Sequence, residues 1–96
     1  MFLVHSYVIT ARDGSEAELA ATLEALGAAI KAIAGSESTM ILRDRQNPAR
    51  FTFLEFWADE ASRNAAGAQL PKDVMKRLMA AADGPIEMAS YDRVAG

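Results

Sequence analysis

Residues 51–57 read FTFLEFW, and this stretch decides the fold. Its β-branched and aromatic composition predicts a strand over roughly 50–57, in which alternate side chains point to opposite faces. Thr52, Leu54 and Phe56 share one face; Phe51, Phe53, Glu55 and Trp57 share the other. A sheet covered on one side alternates apolar with polar residues. Here both faces are apolar, and a single carboxylate interrupts one of them.

Outward from this strand the pattern is legible. Residues 2–10 (FLVHSYVIT) predict a first strand, with Val4, Ser6 and Val8 opposite Leu3, His5, Tyr7 and Ile9. Asp13-Gly14 turns the chain, and Ser15 with Glu18 forms a capping-box signature. Leu19, Leu23, Leu26, Ile30 and Ile33 then recur at helical spacing through about residue 34. Gly35 suits the end of that helix. A second strand is expected over 37–44, followed by loop chemistry at Gln46-Asn47-Pro48. Asp59 is placed to cap a short helix over 60–67, and Pro71 to sit in the first turn of another. That last helix presents Val74, Met75, Leu78, Met79 and Ala82, with Met75 and Met79 read as core packing. Gly84-Pro85 closes it ahead of a final strand over 86–93.

The order is βαββαβ, an α+β ferredoxin-like domain with a divided second helix, occupying residues 1–96 as one unit. Two helical layers on one face leave the other bare, with more apolar area than a soluble monomer usually exposes. A second copy of the chain, sheet against sheet about a two-fold axis, covers it most economically. A homodimeric α/β barrel is therefore expected, with the aromatic face of strand three beside the dimer seam or a cavity. There Glu55 needs a cationic partner or must take up a proton. Arg43, Arg50 and Arg93 are candidates by strand position.

The totals exclude several classes. Ten basic against thirteen acidic residues give a formal charge of −3, unsuited to phosphate backbones or anionic lipid. There is no cysteine and one histidine, His5, which removes thiolate sites and most histidine-based metal sites; no metal or cofactor is expected. No apolar run approaches a membrane span, and the amino terminus lacks a basic, cleavable leader, so a cytoplasmic location is expected. No glycine-rich phosphate loop, nucleophile elbow or paired metal carboxylate occurs.

Gly35 ahead of strand two, the segment RDRQNPARFTFLEFWADEAS (residues 43–62), its Glu55-Phe56-Trp57-Ala58-Asp59 core, and Tyr91 in the last strand resemble the antibiotic biosynthesis monooxygenase family of dimeric α/β barrels. The resemblance implies oxidation of a small phenolic or quinol substrate by O2 without metal or flavin. It implies Phe53 and Trp57 stacking on the substrate ring, with His5, Tyr7 or Glu55 hydrogen-bonding or deprotonating its hydroxyl. Many members carry a histidine nine or ten residues after this tryptophan, the iron ligand of haem-degrading relatives. Ala66 and Gly67 hold those positions here, which implies a site of another kind than haem degradation. A different class of function is a non-catalytic homodimer that binds a small hydrophobic ligand.

An RNA-recognition motif shares this element order and places aromatics on the open face of strand three. Ala49–Phe56 (ARFTFLEF) puts Phe51, Phe53 and Phe56 in that register. Ala49 and Arg50 replace its basic and glycine positions, and Glu55 with the negative chain opposes phosphate. That reading needs the aromatic face open, so the fold discriminates the two.

Overall fold

The computed structural model describes residues 3–96. Eight residues, Arg50–Trp57, form the strand anticipated from FTFLEFW. In chain order the elements are β1 (Leu3–Thr10), α1 (Glu16–Lys31), β2 (Ser36–Arg43), β3 (Arg50–Trp57), α2 (Glu60–Ala66), α3 (Lys72–Ala81) and β4 (Glu87–Asp92). A single 3₁₀ turn, Gly67–Gln69, joins α2 to the lead-in of α3. The four strands form an antiparallel sheet in the order β2-β3-β1-β4, the ferredoxin-like arrangement expected. Phe2, assigned above to the first strand, lies outside the described residues.

Register decides which side chains meet. His5 pairs with Glu55 and with Ser90, Tyr7 with Phe53 and Met88, and Ile9 with Phe51. These residues share the face that packs beneath the helices. Phe51, Phe53, Glu55 and Trp57 are only 2%, 0%, 5% and 1% exposed. The aromatic face therefore packs beneath the helices, and of the two neighbours expected for it, a dimer seam or a cavity, this chain supplies the cavity. The physical reason is the apolar stripes of the helices: Leu19, Leu23, Leu26 and Ile30 of α1 and Val74 and Leu78 of α3 are buried in one core with Phe51, Phe53 and Trp57. The same finding removes the RNA-recognition reading, since Phe51 and Phe53 have no open face to present.

The opposite face is the bare one. Val4, Val8, Leu54 and Phe56 are partly exposed there, with Met40, Leu42 and Tyr91 about half exposed. Arg50 and Glu87 pair at 3.1 Å along its margin.

Leu19, Thr22, Leu23, Leu26, Gly27 and Ile30 form the buried stripe of α1. A Cβ on Gly27 would approach Thr39 Oγ1 of β2 to 3.0 Å, so the helix lies close on the sheet. Truncating a fully buried Leu23 or Ile30 to alanine would cost about 2–5 kcal/mol. Ser15 begins the helix, but its side chain makes no cap hydrogen bond. Glu18 instead accepts from Arg77 Nε of α3 at 3.1 Å and from Thr22 Oγ1 at 3.4 Å, so the capping box is not formed. The helix ends at Lys31, four residues before Gly35, which turns the chain at φ +87.

Asp59 does cap α2: its carboxylate accepts from Ser62 N at 2.7 Å. Pro71 is the residue before α3 rather than within its first turn. Val74, Leu78 and Ala81 form the buried stripe of α3; Met79 projects away from it and is 59% exposed, which corrects its reading as core. The end of α3 is tied to the end of β1 by Asp83 N to Thr10 O at 2.7 Å and Arg12 Nε to Ala82 O at 2.9 Å.

Candidate functional site

Between sheet and helices lies an apolar chamber of about 260 Å3. Tyr7, Ile9, Phe53 and Glu55 form its floor, Leu26, Leu70, Met75 and Leu78 its roof, and Ile86 with exposed Met88 its β4 side. Met75, read as core, thus also lines a cavity. The short α2 stops before covering this end, which is why the roof leaves space. At the polar end, Tyr7 and Glu55 continue into a recess of about 50 Å3 shared with Trp57, Arg63, Ala66, Gly67 and Leu70. The small residues at 66 and 67, where a histidine would have stood, leave that recess open.

Glu55 is the one carboxylate facing the chamber. Its Oε1 accepts from Trp57 Nε1 at 3.0 Å, a contact between residues two apart on the same face of β3. Oε2 has no hydrogen-bond partner among the described residues. Burial pushes the carboxyl above its ordinary value, against the Trp57 hydrogen bond and the Arg63 charge, which pull it down. None of the three expected arginines pairs with it. Arg43 lies over the Phe51 ring at 4.9 Å, Arg50 pairs with Glu87, and Arg93 donates to Gly96 O. Those arginines are engaged elsewhere, whereas the relevant cation comes from the helix layer.

That cation is Arg63, which the sequence reading missed. It lies one turn after the Asp59 cap and is the only basic residue of α2, a signal visible in sequence once the helix is placed. Its Nη2 donates one hydrogen to the Tyr7 hydroxyl oxygen and the other to His5 Nε2, both at 3.0 Å. A guanidinium has no acceptor, so His5 Nε2 is unprotonated and the ring proton resides on Nδ1. Nδ1–H then donates to Ser90 Oγ at 2.7 Å. Burial and then the Arg63 charge lower the His5 pKa below its ordinary 6.5, which keeps this neutral tautomer. Both ring nitrogens are engaged, and the ring stands edge-on to Tyr7 with centroids 4.8 Å apart.

Tyr7 accepts from Arg63, which leaves its own O–H free to donate toward the recess. Burial and then the Glu55 charge raise its pKa, with Arg63 opposing. The five residues singled out from sequence therefore divide. Tyr7, Phe53 and Glu55 face the chamber, and Trp57 joins Tyr7 and Glu55 at the recess. His5 lies behind Arg63, beside an outer polar pocket of about 280 Å3 that also meets Leu3, Glu60, Asn64, Ser90, Tyr91 and Asp92. Arg63 separates the outer pocket from the inner recess.

The solved structures that this chain resembles agree on its fold. SnoaB, a cofactor-independent oxygenase from Streptomyces nogalater, is 18% identical with a TM-score of 0.87, covering 99% of this chain and 95% of that one. NE2512, a protein of unknown function from Nitrosomonas europaea, is 23% identical with a TM-score of 0.83, over 99% of this chain and 91% of that one. PA3566 from Pseudomonas aeruginosa is 25% identical with a TM-score of 0.81, over 98% and 95% respectively. No curated protein sequence matches the chain. A family profile described as antibiotic biosynthesis monooxygenase matches residues 1–68, from β1 through the helix that carries Arg63. With that match over more than half its length, the chain belongs to the antibiotic biosynthesis monooxygenase family.

Proposed function

We propose that the protein is a cofactor-independent monooxygenase that oxidises a small phenolic or quinol substrate with O2. The observation that carries this is Glu55: one carboxylate, with a free Oε2, at the polar end of an otherwise apolar chamber. A cavity of about 150 Å3 lined by apolar side chains holds a benzene, so this chamber suits a one- or two-ring aromatic.

The ring lies against Phe53, with Trp57 at the recess and its hydroxyl directed at Glu55 and Tyr7. Glu55 Oε2 takes the hydroxyl proton, and its raised pKa makes it a stronger base than an exposed carboxylate. The electron-rich anion passes an electron to O2, and a C–O bond forms between ring carbon and oxygen. The O–O bond then breaks: one oxygen stays on the product, and the other leaves as water with two hydrogens from the substrate. The apolar walls keep bulk water from the anion and from reduced oxygen. His5 orients Arg63 in this scheme and does not itself take the proton, because Nε2 is already occupied.

The uncovered sheet face supports a homodimer as the working unit. Leu54, Phe56, Met40 and Leu42 form a contiguous apolar surface of the kind a second copy would cover. A second reading, a dimer that binds a hydrophobic ligand without turnover, is favoured by the engagement of both His5 nitrogens, which leaves Glu55 as the single base.

Oxygen uptake with a panel of naphthols and hydroquinones tests the proposal. Turnover by the wild type that falls about 10²–10⁴-fold in Glu55→Gln supports it. Binding of the same compounds without oxygen consumption would establish the second reading in its place.

A further inference from the structure

Arg63 is partly buried, yet it forms no ion pair among the described residues. Both of its hydrogen bonds go to neutral acceptors, Tyr7 and His5, through Nη2 alone. Nε and Nη1 have no partner among the described residues. The Glu55 carboxyl feels the Arg63 charge through space without a direct ion pair, so the free donors of this partly buried guanidinium can still make charge-assisted bonds to an anion.

The ionisable groups around it indicate from which side the anion comes. Glu60 of the same helix and Asp92 at the end of β4 line the outer pocket and repel an anion there. His5 of β1, on that side too, is neutral. On the inner side stand Tyr7 of β1, whose O–H is free to donate, and Glu55 of β3. Glu55 opposes an anion only while ionised. A ligand hydroxyl that hands its proton to Glu55 leaves a neutral carboxylic acid and a new oxyanion facing Arg63 and Tyr7.

The geometry points to Arg63 as the oxyanion-binding residue of the chamber: the ligand class is an acidic aromatic hydroxyl held as its anion in the recess between Tyr7, Glu55 and Arg63. It rests on the proposed aromatic-hydroxyl site and adds to it the ligand's charge state and the group that recognises it. A neutral aromatic of the same shape fits the chamber but leaves Arg63 unpaired, so selectivity runs toward the compound that ionises.

The test uses the full chain and 4-nitrophenol, whose phenolate absorbs in the visible, under nitrogen. Bound nitrophenol is expected to ionise at lower pH than in free solution. Arg63→Met is expected to abolish that shift and weaken nitrophenolate binding about tenfold to a hundredfold, the worth of a charged hydrogen bond. Arg63→Lys, which keeps the charge but loses the planar fork, is expected to retain part of the shift. Glu55→Gln, free of the competing carboxylate charge, should still bind nitrophenolate. Bound nitrophenol that titrates at or above its solution value in the wild type overturns the assignment, as does absence of binding at millimolar concentration. So does an Arg63→Met protein, folded by circular dichroism, with an unchanged shift. Because oxygen is excluded, the result is separate from turnover: an ionisation shift without oxygen uptake by any quinol keeps this inference and sinks the proposed activity. Turnover without the shift does the reverse.

Discussion

Trp57 Nε1 donates to Glu55 Oε1 at 3.0 Å, and both side chains are at most 5% exposed. The strand's own alternation makes this contact, since residues two apart share a face. One hydrogen bond thus holds the only chamber carboxylate in orientation and opposes the rise in its pKa that burial causes.

Trp57→Phe should keep the strand and most of the packing but remove that donor. The expected cost is about 1–3 kcal/mol, read as a fall in thermal midpoint, because a buried acceptor loses its partner. The Glu55 carboxyl should move further up, detectable by carbon NMR of labelled glutamate. An unchanged or lowered carboxyl midpoint would show that the hydrogen bond does not stabilise the ionised form.

Stability should depend on pH with opposite signs at two residues. Glu55 has a folded pKa above its unfolded value of 4.5, so the folded state binds more protons in that window. Its contribution is complete below 4.5 and is lost as pH rises through the folded value. Glu55→Gln should therefore gain thermal stability over wild type at neutral and higher pH, with the gain vanishing toward pH 4.5. His5 has a folded pKa below 6.5, so its contribution is complete above 6.5 and is lost as pH falls through the folded value. Nitrogen NMR should find His5 neutral at pH 7 with its proton on Nδ1; a proton on Nε2 would contradict the Arg63 contact.

Gly35→Ala should be severely destabilising. The residue sits at φ +87, where a side chain costs roughly 1–2 kcal/mol by itself. An added Cβ would also overlap Cβ and Oγ of Ser62 on α2. Ser62 immediately precedes Arg63, so the variant should lose nitrophenolate affinity as well as thermal stability. A fall in stability with full affinity would mean that the turn does not set the position of Arg63.

Leu54→Lys places a charge at the centre of the bare sheet face. Native mass spectrometry of the wild type is expected to show about twice the 10.3 kDa chain mass, and the variant a monomer. A wild-type monomer at micromolar concentration would remove the dimer from the proposal.

The strands were readable because their signals are local. β3 occupies 50–57 as its composition implies, and the Asp59 cap follows from a side chain and a backbone amide three residues apart. The inward turn of His5, Tyr7 and Glu55 follows from alternation. What alternation cannot state is which face is inside when both are apolar; the helices decide that. Ser15 had the right neighbour in sequence, but Arg77, 59 residues from Glu18, competed for it. Arg63 escaped notice for the same reason. Its place as the one basic residue of α2 is local, but its two hydrogen bonds reach back 56 and 58 residues to β1.

Strand β1 sits between β3 and β4 with both faces committed. His5, Tyr7 and Ile9 point toward the helices, and Val4, Ser6 and Val8 toward the uncovered side. A one-residue insertion or deletion within it would exchange the two sets beyond that point unless a bulge absorbed it, as at Ser36–Ser38 in β2, so length variation in this strand is costly. Substitution is not: odd-numbered positions can be retuned for a new ligand while even-numbered ones stay as they are. Two adjacent residues of one strand can thus drift at independent rates, one following the chemistry and the other whatever lies on the far side of the sheet.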